Sequence, residues 1–126
     1  MKVFLSLPMS GRTEDDIRAD LNRMKTAIIE SHIFGDEEIE FRHNLDCSFV
    51  PGRAEQAVTP NLLYLGVAIK KMAVCHAVVI HEDFEKFRGC CIEANVCIEY
   101  DIPAYVITKD GFKELKEVLN ENTYNS

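Results

Sequence analysis

The chain has 126 residues, 47% of them apolar, which suits one domain with a core of its own. A formal net charge of −7 works against binding a nucleic-acid polymer through bulk electrostatics, yet leaves room for a small anion held by two or three local arginines. No apolar stretch approaches the ~20 residues that span a bilayer. Met1-Lys2-Val3-Phe4-Leu5 carries no signal-peptide cleavage pattern, and the five cysteines include no Cys-x-x-Cys pair. A reduced, cytoplasmic protein off the membrane is the expectation.

Lys2 to Leu7 is an apolar run fit for a central strand. Pro8-Met9-Ser10-Gly11-Arg12 forms the turn after it, and Thr13 is a plausible N-cap with Asp16 three residues on. Ile17, Leu21, Met24 and Ile28 then recur at i, i+4, i+7 and i+11, an amphipathic helix ending near Phe34-Gly35. Ile39 and Phe41 alternate with Glu38, Glu40 and Arg42, a less buried second strand. Residues 44–59 have no clear period and contain Pro51-Gly52, a loop of a length that is usually functional or mobile.

Pro60 can open the next helix, with Leu62, Leu65, Ile69 and Met72 inside and Lys70 and Lys71 outside. His76 to Ile80 reads as a buried third strand, the loop from His81 to Arg88 follows, and Ile92 to Tyr100 is helical until Pro103 forbids continuation. Ala104 to Ile107 is the fourth strand. Asp110 can cap a last helix carrying Phe112, Leu115, Val118 and Leu119, and residues 121–126 form a polar, frayed tail. The expectation is a single doubly wound, flavodoxin- or Rossmann-like α/β domain over residues 1–120. Its sheet is mostly parallel, four- to five-stranded and flanked by helices.

Ligands of such folds sit at the carboxyl ends of the strands. Glu93 is expected there, in the first turn of the helix after the third strand, where the dipole and free N–H groups favour the ionised form. That makes it a candidate nucleophile or base. Asp83 and Glu85 on the preceding loop can supply a second carboxylate, and Arg88 can reach an anion. The first turn, with Ser10, Gly11 and Arg12, has the character of an anion loop, although Glu14, Asp15 and Asp16 crowd the same helix start. Cys47 and Arg53 share the spacing of a cysteine-phosphatase loop, but no apolar strand precedes them and Pro51 removes a donor. Cys90 and Cys91 at a helix start are either thiols of lowered pKa or buried structural thiols, the latter favoured. The four histidines show no metal-ligand spacing, so neither metal nor cofactor is expected.

Pro8-Met9-Ser10-Gly11, then Tyr64-Leu65-Gly66 through Met72-Ala73-x-Cys75, then Arg88-Gly89-Cys90-x-Ile92-Glu93 resembles the nucleoside 2-deoxyribosyltransferase-like superfamily. The likeness is to its small bacterial and phage-borne members of mostly unassigned function. It implies that Glu93, four residues after Gly89, attacks the anomeric carbon of a nucleoside or nucleotide, or helps water attack it. It also implies that Ser6, Pro8, Met9, Ser10, Gly11 and Arg12 line the sugar or 5′-phosphate pocket, with Asn44, Arg88 and Gly89 as further substrate contacts. The proton donor to the leaving base is Asp83, Glu85 or His81. Many relatives carry glycine where this chain has Cys91 and aspartate where it has His76. The implied partner is a small nucleoside or nucleoside 5′-monophosphate, and the implied assembly a homo-oligomer. The alternative is a non-catalytic nucleotide-binding or nucleotide-sequestering protein on the same scaffold.

Overall fold

A computed structural model describes residues 1–45 and 59–124, with side chains through Asn120. Its elements are β1 (Lys2–Ser6), α1 (Glu14–Ser31), β2 (Glu40–Arg42), α2 (Pro60–Met72), β3 (Ala77–Ile80), a 3-10 turn (Phe84–Lys86), α3 (Arg88–Glu99), β4 (Ala104–Thr108), β5 (Gly111–Glu114) and α4 (Leu115–Tyr124). The Cys47–Arg53 spacing and nearly all of the long loop lie outside the described residues.

One sheet with strand order β2-β1-β3-β4-β5 holds the domain, parallel except for β5. The first crossover, through α1, runs from β1 to β2 on one side. Later crossovers run the other way, to β3 and then β4. Right-handed connections therefore put α1 on one face and α2 and α3 on the other. Strand alternation sorts the core to match. Val3, Leu5, Val79 and Ile107 pack on Ile17, Leu21, Met24 and Ile28 of α1. Phe4, Val78, Ile80 and Val106 pack on Ala68 and Met72 of α2, Cys90, Ala94 and Cys97 of α3, and Leu115 of α4. The protein is a single doubly wound α/β domain with a mostly parallel sheet.

The anticipated elements are present with four differences. Where a helix was expected from Asp110, the chain first makes a hairpin. Thr108 Oγ1 donates to the Gly111 carbonyl at 2.7 Å and accepts from the Asp110 N–H at 3.2 Å. Gly111 takes φ +106°, a left-handed conformation suited to glycine. Phe112 thus lies in β5, antiparallel to β4, and the helix starts at Leu115 and runs through Tyr124, into the stretch expected to fray. In α2 the buried side is Ala68 and Met72, whereas Leu62 is 64% exposed. Lys71, expected outside, is half-buried and its Nζ donates to the His43 carbonyl at 2.7 Å. Helix α1 stops at Ser31, with His32 in the left-handed region as its C-cap. Its N-terminus is as expected, the Thr13 hydroxyl accepting from the Asp16 N–H. The fourth difference, the start of α3, belongs to the site.

Candidate functional site

Strand order changes direction between β1 and β3, so the crevice between their carboxyl ends is where doubly wound sheets bind ligands. Ser6 at the end of β1 pairs with Ile80 at the end of β3, and the Ser6 carbonyl accepts from the His81 N–H at 2.9 Å. Alternation turns the Ser6 side chain, like that of Phe4, toward α3. There its hydroxyl donates to Glu93 Oε1 at 2.9 Å. Both residues are buried, Ser6 fully and Glu93 to 7% exposure.

The expected first-turn position of Glu93 is not what forms. Phe87 is the N-cap and α3 begins at Arg88, so Glu93 is its sixth residue, in the second turn. Helix-dipole stabilisation falls off within the first turn, and burial decides the charge state instead. Burial pushes the Glu93 carboxyl up to about 7, against the opposing hydrogen bond from Ser6. The residue is therefore not held ionised by the helix; it sits where it can take or give a proton near neutral pH. Cys90 and Cys97 flank it at i−3 and i+4, on the same helix face. Both are buried and free. Burial, then the neighbouring Glu93, pushes each thiol up to about 12. The lowered-pKa reading of Cys90 is thus overturned. Cys91 is exposed, and its thiol donates to the Phe84 carbonyl at 3.3 Å.

The first turn is built partly by its own arginine. Gly11 takes φ +74°, and the Arg12 N–H closes the turn on the Met9 carbonyl at 3.2 Å. The Arg12 guanidinium donates to the Pro8 carbonyl at 2.9 Å and pairs with Asp20 at 2.8 Å. Arg12, foreseen as an anion contact, is thus committed to holding the turn against α1. Ser10 and Gly11 face solvent, Pro8 is buried, and Met9 packs partly against the α1 side of the core.

Asp20 gathers a network that sequence reading missed. Arg23 pairs with it at 2.9 Å and also with Glu82. His81 Nε2 lies 3.0 Å from Asp20 Oδ2 and 3.0 Å from Glu82 Oε1. The Asp83 N–H donates to His81 Nδ1 at 3.0 Å, so the hydrogen-bond network assigns the imidazole proton to Nε2, facing the acids. Burial pushes the Asp20 carboxyl up, but hydrogen bonds from Arg23 and Arg12, together with His81, outweigh it and hold Asp20 below the ordinary carboxylate value. Asp20, His81 and Glu82 offer ligand atoms within 4.8 Å of one another. Two guanidiniums already neutralise the acids, so the cluster is an internal clamp. Only the i,i+3 pair of Asp20 with Arg23 was visible in the sequence; His81 stands 61 residues from Asp20.

On the loop after β3, buried Phe84 turns the chain as a 3-10 helix, with Asp83 before it and exposed Glu85 after it. Asp83 pairs with Lys86 at 3.4 Å. The Glu93 carboxyl bonds to Ser6, and the structure does not bring Asp83 or Glu85 into hydrogen bond with it. Arg88 and Gly89 are exposed as the first two residues of α3, whose N-terminus has neither side-chain cap nor acidic residue. A Cβ placed on Gly89 would meet nothing within 4 Å. The Asn44 amide donates to the Tyr64 carbonyl at 3.3 Å. A shallow cavity of about 210 Å³ lies at the other end of the sheet, between Ile98, Tyr105, Leu115 and the Asp101–Lys116 pair. No helix among the described residues is long and apolar enough to cross a membrane.

A crystal structure described as a conserved protein from Enterococcus faecalis superposes on 83% of this chain with a TM-score of 0.59 at 13% identity. At that identity the likeness is one of fold. The aligned part spans 61% of the neighbour's length. No protein-family model and no curated protein sequence matches the chain.

Proposed function

We propose that the protein cleaves or transfers the N-glycosidic bond of a nucleoside or nucleoside 5′-monophosphate, with Glu93 as the reacting carboxyl. The observation that carries this reading is the place of Glu93: a nearly buried carboxyl, balanced near neutral pH, at the carboxyl edge of the β1/β3 switch point. The Arg88–Glu93 sequence that resembles the deoxyribosyltransferase-like catalytic loop supports it independently. Cleavage passes through an oxocarbenium-like state, which an ionised carboxylate beside the anomeric carbon stabilises. If the carboxylate bonds to that carbon, a second base can displace it and the outcome is transfer; if water attacks, it is hydrolysis.

With Arg12 committed to Asp20 and Pro8, a 5′-phosphate is best met by the N-terminus of α3, with its uncapped start, Arg88 and unobstructed Gly89. His81, closed on Asp20 and Glu82, is the least available proton donor, which leaves Asp83 or Glu85 on a loop that would have to close over the base. A cytoplasmic homo-oligomer working without a cofactor completes the reading.

The alternative, a nucleotide binder without turnover, draws on the same geometry. Among the described residues no second carboxyl is hydrogen-bonded to Glu93, and Glu93 is only 7% exposed. The deciding experiment is chromatographic detection of free base from a panel of nucleosides and 5′-monophosphates, with wild type and Glu93→Ala side by side. The enzyme reading expects release that falls by at least about 10³-fold in the variant, as for loss of a reacting group. No release from either protein, with thermal stabilisation of wild type by a nucleotide, would establish the binder.

A further inference from the structure

Ser6 was expected to line the substrate pocket, and its geometry assigns it elsewhere. We propose that Ser6 is the positioning residue of the site: its hydroxyl fixes Glu93 Oε1, and Oε2 is left as the oxygen that meets the ligand. This rests on Glu93 being the reacting carboxyl.

Ser6 is immobilised from both sides. Its carbonyl accepts from His81 at 2.9 Å, its partner in the sheet is Ile80, the first turn follows directly in the chain, and it is 0% exposed. A hydroxyl in such a place has one proton to donate and two lone pairs to fill. The proton goes to Glu93 Oε1 at 2.9 Å. Cys90 lies one turn before Glu93 on the same face of α3.

Glu93 depends on this one donor, because its second-turn position offers no free helix N–H. Oε2 has no protein partner among the described residues, and it is not among the sealed, unpartnered polar atoms of the fold. One oxygen anchored and the other open is the arrangement a nucleophile needs to approach a carbon along one line. Of the charged residues bordering the site, Glu82 is paired with Arg23 and Asp83 with Lys86, Glu85 is exposed, and the described arginines at the two turns are Arg12 and Arg88. Arg12 is closed on Asp20, while Arg88 is exposed at the start of α3, so among the described residues no guanidinium replaces the serine at Oε1.

The test is a carboxyl-carbon NMR titration of Glu93 in wild type, Ser6→Ala, Ser6→Cys and Ser6→Thr, alongside the base-release assay. Removing a hydrogen bond to a charged group should raise the Glu93 midpoint by about one pH unit in Ser6→Ala. The weaker thiol donor of Ser6→Cys should give a smaller rise, and the retained hydroxyl of Ser6→Thr should restore the wild-type value. The acid limb of the pH–rate profile should move by the same amount, with kcat reduced and KM unchanged. If Ser6→Ala does not fold, Ser6→Cys keeps the volume and supplies the comparison. An unmoved midpoint in whichever of Ser6→Ala and Ser6→Cys folds overturns the positioning role even where Glu93→Ala abolishes base release. A shifted midpoint in a protein that releases no base leaves the role standing and refutes the glycosidic reading instead.

Discussion

A carboxyl with one hydroxyl donor and almost no water is cheaper to keep neutral than charged, and Glu93 is such a group. Its folded value of about 7 lies above the ordinary 4.5. Between these values the native state retains a proton that the unfolded chain has released, so this residue's contribution to stability is intact below about pH 4.5 and declines as pH rises to about 7. The difference corresponds to about 3 kcal/mol once both limits are passed. Glu93→Gln removes the ionisation and keeps an acceptor for the Ser6 hydroxyl. Its urea-unfolding free energy should match wild type near pH 4.5 and exceed it by roughly 2–3 kcal/mol at pH 8. Equal pH dependence in the two proteins would mean that Glu93 is solvated. The spacing of Gly89 and Glu93 could be read from sequence because it is purely local. The charge state could not, because it depends on where α3 starts and on a serine 87 residues away.

Helix α1 shows what an amphipathic pattern conveys and what it leaves out. Ile17, Leu21, Met24 and Ile28 announced the buried face, and Thr13 the cap, because both are periodic or adjacent in the chain. The polar edge of the same helix gave no comparable sign. Asp20 ties Arg12, Arg23 and His81 together and fixes α1 against the end of β3. Asp20→Ala would leave two guanidiniums without this acceptor, and His81 Nε2 would turn to Glu82 alone. A loss of about 2 kcal/mol in urea unfolding at pH 7 is expected, with Asp20→Asn losing roughly half as much. Since Asp20 is held below its ordinary value of 3.8, its contribution is complete above that pH and disappears as pH falls through the lower folded value. The wild-type advantage over Asp20→Asn should therefore vanish in strong acid; an advantage that survives there would come from packing. Strand β5 was missed for a related reason. Gly111-Phe112-Lys113-Glu114 is too short for alternation to outweigh the helical spacing of Phe112 with Leu115, and only the Thr108 turn and the pairing with β4 make it a strand.

At the scale of the molecule, alternating strands and helices made the doubly wound class legible, but strand order is a long-range property that no local pattern encodes. The order β2-β1-β3-β4-β5 decides where ligands go. It sends the connections after β1 and β3 to opposite faces, and the gap between them opens at Ser6 and His81. The first turn and the loop leading into α3 border that gap, whereas the shallow cavity by Asp101 and Lys116 lies at the amino end of β4. Hydrogen–deuterium exchange with and without a saturating nucleoside 5′-monophosphate separates the two ends. Slowed exchange is expected in residues 7–13 and in residues 82–90, whose amides sit in the turn and loops at the carboxyl edge. Residues 101–103 should exchange at the same rate with or without nucleotide. Protection confined to the 101–103 end would move the ligand site to the opposite edge of the sheet and separate Glu93 from it. Protection at the carboxyl edge in both wild type and Glu93→Ala would show that the crevice, rather than the reacting carboxyl, supplies the binding energy.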